Sequence, residues 1–178
     1  LIDNLLTWSR LNQSRITPSF QFIRLHQLLT SVVGSQTLAA ERKHIKIEFS
    51  CDEQIVAYAD YNLTDVVIRN LISNAIKFTS QGGSITVSCI QESDQYIRID
   101  VTDTGVGLSP ERVQEILQTE SFFSTSGTDD EKGTGLGLNL CKQFVKIMHG
   151  DFLLTSEPRK GSVFSVLLPS GDRTPDGS

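Results

Sequence analysis

The chain has 178 residues, 38% hydrophobic and 21% charged, enough for one domain with a sizeable core. A formal net charge of -5 and a pI near 5.2 leave no basic footprint, so no nucleic-acid partner is expected. Cys51, Cys89 and Cys141 form no CxxC pair and read as buried thiols of a reducing compartment, and no apolar run approaches the roughly 20 residues of a membrane span.

Residues 1–15 space Leu1, Leu5, Trp8 and Leu11 three or four apart, which predicts an amphipathic helix. The pattern is already running at Leu1, so the chain is expected to continue a longer protein. Thr17-Pro18 stops this helix, and a short strand around Phe20 and Phe22 follows. Leu25, Leu28, Leu29, Val32, Val33 and Leu38 form a second helical stripe reaching about Arg42. Ile45, Ile47, Phe49 and Cys51 alternate as a half-buried strand does. A short strand at Ile55 to Ala59 leads to Asp60, a candidate N-cap for a helix from Tyr61 to Phe78.

Ile85, Val87, Cys89 and then Ile97, Ile99, Val101 alternate on either side of a turn, the signature of a hairpin. The polar stretch from Ser109 to Lys132 is read as a mobile lid, and a helix follows from about Gly135 to Met148, closed by His149-Gly150. Phe152 and Leu154 mark one strand and Phe164, Val166 and Leu168 another, joined through Glu157-Pro-Arg-Lys-Gly161. Runs of strands with helices on one face predict an α+β two-layer sandwich. The division expected is a helix end at 1–15, one domain at 16–170 and a polar, disordered tail at 171–178.

Chemistry concentrates in three places. On the helix from Tyr61 to Phe78, Asn70, Asn74 and Lys77 share one stripe beside a broad apolar face. Asparagine is a poor choice inside a helix, but its amide oxygen is a hard ligand suited to Mg²⁺, and a lysine meets phosphate as a point charge. The same stripe also fits a solvated polar face. Asp103 continues the Ile97, Ile99, Val101 alternation, so its carboxylate should point to the apolar side of the sheet, where it needs a hydrogen-bonding partner such as an adenine amine. An Asp-Thr-Gly turn explains it equally well. Two glycine clusters, Asp103-Thr-Gly-Val-Gly-Leu108 and Gly133-Thr-Gly-Leu-Gly-Leu138, match neither a P-loop nor a dinucleotide fingerprint.

Together these segments are more specific than any one of them. Asn70 to Thr79, Asp103 to Leu108, Phe122-Phe123 and Gly133 to Leu138 resemble, in order, the N, G1, F and G2 boxes of sensor histidine kinases. That family lies within the wider group that includes heat-shock chaperone and mismatch-repair ATPases. Leu5-Leu-Thr-Trp8-Ser-Arg10 resembles the end of the second helix of the dimerisation and phosphotransfer hairpin.

The resemblance implies a Bergerat-type ATP-binding fold that uses ATP and Mg²⁺. Asn74 would be the metal ligand, with Asn70 beside it and Lys77 at the phosphates. Phe78 and Leu108 would line the site and Asp103 would read the adenine amine, with Gly105 and Gly107 letting the chain pass close to the base. Gly133, Thr134, Gly135, Leu136, Gly137 and Leu138 would hinge the lid and offer amides to phosphate, and Phe122 and Phe123 would anchor the lid.

Further implied are a homodimeric full-length protein, the hairpin and a response-regulator receiver domain as partners, and a cytoplasmic location in a membrane-bound sensor. Many members carry several basic lid residues. Here Arg112 and Lys132 are the candidates, with Lys132 preferred for the γ-phosphate. His26, His44 and His149 fit no phosphoacceptor pattern and are expected to be structural, which puts the acceptor on the hairpin's first helix, upstream of Leu1. Two other functions use related sites: a chaperone-type ATPase, which needs a glutamate where Asn70 stands, and a serine kinase of the anti-sigma type.

Overall fold

The structure, a computed structural model, describes residues 16–118 and 136–171. The expected helix at 1–15 and the tail from 172 lie outside the described residues.

Strand β1 (Phe20–Arg24) pairs antiparallel with β3 (Val56–Asp60) in a small two-stranded sheet. Five strands form the main sheet, β2 (Lys46–Cys51), β4 (Ser84–Gln91), β5 (Tyr96–Asp103), β6 (Asp151–Glu157) and β7 (Gly161–Pro169), in the order β2-β4-β5-β7-β6. Only β2 and β4 run parallel; the crossover between them carries β3 and helix α2 (Tyr61–Phe78). Helices α1 (Leu25–Arg42), α2 and α4 (Leu136–Ile147) pack on one face of this sheet, giving the two layers expected. An isolated bridge between Ala57 and Ser170 ties the small sheet to the end of β7.

Strands β4 and β5 bury every second residue against the helices. Ile85, Val87 and Cys89 do so on β4, and Ile97, Ile99, Val101 and Asp103 on β5. Helix α2 is centred in the core: Val67, Ile68, Leu71, Ile72, Ala75 and Ile76 are buried. Each large aliphatic group there contributes about 1.5–3 kcal/mol relative to exposure. Asp60 caps the helix as expected, Oδ1 accepting from Leu63 N at 3.0 Å while Oδ2 takes Ser19 N at 2.7 Å.

Three expectations need correcting. Leu38, placed in the α1 stripe, is 62% exposed. At 100° per residue it stands on the opposite side of the helix from Leu29. Cys51 is half-buried, because β2 ends there at the sheet edge.

The polar stretch from Ser109 is not all loop, since Pro110–Gln118 forms helix α3. Its start signals were legible: Ser109 Oγ accepts from Arg112 N at 3.3 Å, Pro110 takes the first turn, and Glu111 follows. Helix α4 closes at His149-Gly150 as expected, with His149 in the left-handed region at φ 60. The His149 ring stacks on Phe20 at 5.5 Å, and Gly150 is required because a Cβ there would lie 2.1 Å from Leu167 O.

Candidate nucleotide site

The site lies where the C-terminal half of α2, the loop after β5 and the start of α4 converge. Asn70 and Asn74, one turn apart on α2, are half-buried at the border of its apolar face. Asn70 Nδ2 donates to Val66 O at 2.9 Å, so its amide is oriented and the oxygen is turned outward. That oxygen faces Gly137 at the start of α4, where a Cβ would lie 3.1 Å from Oδ1. The N-box stripe and the second glycine cluster thus meet at this residue pair. Leu138, next along, packs partly buried against the core.

Lys77 and Phe78 occupy the last turn of α2, with Lys77 Nζ 5.1 Å from the centroid of the Phe78 ring. Buried Lys43, just past α1, donates from Nζ to Ile76 O at 3.0 Å and to Lys77 O at 3.2 Å. A cation there complements the negative end of the α2 dipole. Lys43 was not singled out from the sequence, and nothing local marks it, since its partners lie more than thirty residues away.

The second wall is the loop from Asp103 to Leu108, bonded to the end of α2. Asp103 is 4% exposed, on the helix side of the sheet as the alternation demanded. Burial raises its carboxyl pKa, against the opposing pull of hydrogen bonds from the backbones of Gly105 and Ser162. The Gly105 N–H reaches Oδ1 at 2.8 Å. The turn reading is therefore also correct: one carboxylate oxygen holds its own loop. Phe78 O accepts the Val106 N–H at 3.1 Å, and a Cβ on Gly105 would lie 2.3 Å from that same oxygen. Gly105 is needed for close approach, whereas Gly107 is needed for both approach and φ, at 65° and with a Cβ position 1.9 Å from Glu157 O.

The turn between β6 and β7 closes this wall from outside. Arg159 N donates to Val106 O at 2.7 Å, Ser156 Oγ accepts from Leu108 N at 2.8 Å, and Gly161, at φ 102, lies against Asp103 O. From the sequence these residues were only a hairpin connection. Arg112, an expected lid cation, pairs with Glu115 one turn on in α3. Phe122, Phe123, Lys132, Gly133, Thr134 and Gly135 lie outside the described residues, and Leu136 is described only as the backbone that opens α4.

A two-layer sandwich whose helix ends and glycine loop surround a buried carboxylate is an architecture for holding a nucleotide. The chain belongs to the histidine kinase-, DNA gyrase B- and HSP90-like ATPase family, whose model matches residues 59–172.

Among curated relatives, the adaptive-response sensory kinase SasA of Crocosphaera subtropica is 32% identical over 170 residues, covering 95% of this chain and 44% of that protein. The non-motile and phage-resistance protein of Caulobacter vibrioides is 32% identical over 176 residues, 95% of this chain and 20% of the relative. The chain therefore spans less than half the length of these relatives. Full-length ShkA in complex with AMPPNP matches with a TM-score of 0.80 and 25% identity, over 95% of this chain and 35% of that one. The nucleotide-free catalytic domain of the histidine kinase ThkA matches with a TM-score of 0.74 and 25% identity, over 87% of this chain and 99% of that domain. The fold is that of histidine-kinase catalytic domains, and the family is one of ATP-binding domains.

Proposed function

We propose that this chain is the catalytic part of a two-component sensor histidine kinase, passing the γ-phosphoryl group of ATP to a histidine on a dimerisation hairpin. The observations that carry this are the meeting of Asn70 Oδ1 with Gly137 and the buried Asp103 carboxylate at the start of the glycine loop bonded to the end of α2. On this reading Asn70 and Gly137 mark the phosphate end of the site and Asp103 its base end. Asp103 accepts the adenine amine, Gly105 and Gly107 admit the base edge, and Phe78 and Leu108 flank it. Lys77 meets the phosphates as a point charge, and the backbone from Gly133 to Leu138 supplies amides.

The oxygens of Asn70 and Asn74 are hard donors on a half-buried helix face, which fits Mg²⁺ with Asn74 as ligand. A magnesium ion there would offset phosphate charge. In the transfer, a histidine nitrogen attacks the γ-phosphorus, the bond to the bridging oxygen breaks and ADP leaves, so positioning and charge do most of the catalysis. A closed lid keeps water from competing with histidine, and Lys132 is our candidate for its γ-phosphate contact.

None of this chain's own histidines suits the acceptor role. His26 packs on Phe49, His149 stacks on Phe20, and His44 takes a left-handed turn at φ 52. The hairpin acceptor, a homodimer, a receiver-domain partner and a cytoplasmic setting belong to the same proposal. No described helix is long and apolar enough to cross a membrane. An ATPase of the chaperone type is disfavoured because the amide of Asn70 cannot take a proton from water.

Calorimetry should show ATP binding that strengthens with Mg²⁺, and a supplied hairpin should gain acid-labile phosphate. Binding without any labelling of the hairpin would refute the kinase reading.

A further inference from the structure

One polar side chain at the base end has no task in the nucleotide reading. Ser156 Oγ lies 2.8 Å from Leu108 N, 2.9 Å from Gly161 O and 2.9 Å from Ser162 Oγ. A hydroxyl has one hydrogen to donate and two lone pairs to accept with. The Leu108 N–H can only donate and the Gly161 carbonyl can only accept. The Ser156 hydrogen therefore goes to Gly161, and Ser162 must donate to Ser156. All three bonds are then satisfied and their direction is fixed.

Each partner borders the Asp103 loop. Gly161 packs against Asp103 O, the Ser162 backbone bonds the Asp103 carboxylate, and Leu108 closes the loop that Asp103 opens. No other side-chain hydrogen bond reaches the Leu108 end of that loop among the described residues.

We propose that Ser156 is a positioning residue for the base end of the nucleotide site, holding the Asp103 to Leu108 loop at both ends through one hydroxyl. The proposal rests on the ATP-binding reading and deepens it. Ser156 touches no substrate; it acts through Leu108, Gly161 and Ser162. Replacing it with alanine leaves the Leu108 N–H, the Gly161 carbonyl and the Ser162 hydroxyl without these partners, and the loop loses the anchor beyond Gly107. Because the defect sits at the base end, it should weaken ATP and ADP alike, whereas a phosphate-end defect would grow with phosphate count.

The test compares wild type, Ser156→Ala, Ser156→Thr and Ile97→Val, the last a core truncation at the far end of β5 that serves as a stability control. ATP and ADP binding are measured by calorimetry well below the unfolding midpoints, and amide exchange at Leu108 is followed without nucleotide. Ser156→Ala is expected to raise both dissociation constants by about tenfold and to speed exchange at Leu108. Ser156→Thr, which keeps the hydroxyl, should restore both, and Ile97→Val should change neither. Unchanged nucleotide binding in Ser156→Ala would overturn the inference, as would an equal loss in Ile97→Val. Failure of the wild type to bind ATP would instead overturn the nucleotide reading, and the inference with it.

Discussion

The two walls of the site are made of different material. The base wall, Asp103 to Leu108, is built from backbone: its hydrogen bonds and glycine contacts leave no room for a methyl group at Gly105 or Gly107. The phosphate wall is built from side chains on α2, whose fold depends on the buried Val67, Ile68, Leu71 and Ile72 and not on Asn70, Asn74 or Lys77. Stability and function should therefore be coupled at the glycines of the first wall and separable on the second.

The hardest blow to this comparison is Gly107→Ala. With φ at 65° and Glu157 O 1.9 Å from the new Cβ, the substitution should cost about 2–4 kcal/mol, lower the thermal midpoint and abolish ATP binding. Urea unfolding checks the first and calorimetry the second; a stable, binding-competent variant would show that the base wall is more pliable than its contacts suggest.

Asn74→Ala should behave in the opposite way. Removing a helix-interior asparagine leaves stability within about 0.5 kcal/mol, while nucleotide binding loses its Mg²⁺ dependence and phosphotransfer to a hairpin falls about a hundredfold. A large drop in the unfolding midpoint would erase the contrast between the walls.

Asp103→Asn sharpens the comparison from within the base wall. Burial raises the Asp103 pKa above the ordinary aspartate range. Between the ordinary and the raised value the folded state binds more protons than the unfolded one, so this group's contribution to stability falls as pH rises through that window. Asparagine removes that slope. At neutral pH the variant should be at least as stable as wild type, yet bind ATP more weakly, as expected where a functional group is kept at a cost to the fold. Urea midpoints across pH, with binding measured alongside, test both halves.

The smallest effect expected is at Arg159. Lys160 N donates to Glu157 O, Pro158 cannot take positive φ, and Arg159 stands at φ 65, which makes this a type II turn with an unfavourable residue at its third position. Arg159→Gly should relieve up to about 1 kcal/mol and leave the N–H on Val106 O in place. Thermal unfolding reads the gain.

Much of this was legible in the chain. Period-two alternation marked β4, β5, β6 and β7, the apolar stripe marked α2, and Asp60 marked its start. The order of Asn70-to-Lys77, Asp103-to-Leu108 and Gly133-to-Leu138 pointed to the family before any fold was known. Helix α3 was legible too, through Ser109-Pro110-Glu111, but the polar character of the stretch outweighed the start signal. Ser156, Arg159, Gly161 and Lys43 were not legible, because each acts on a segment from about thirty to nearly sixty residues away.

What the sequence alone determined is therefore everything that depends on neighbours along the chain: periodicity, caps, turns and the motif residues themselves. Periodicity placed Asp103 on the buried face, and Asn70 and Asn74 on one stripe. Tertiary structure alone decided that Asn70 Oδ1 faces Gly137, that Gly150 is needed for space and not for φ, and that the Ser156–Ser162 hairpin closes the wall behind Asp103. The reason is range. Backbone and side-chain preferences act over a few residues, while a carbonyl that meets a distant glycine leaves no trace in the spacing of either segment.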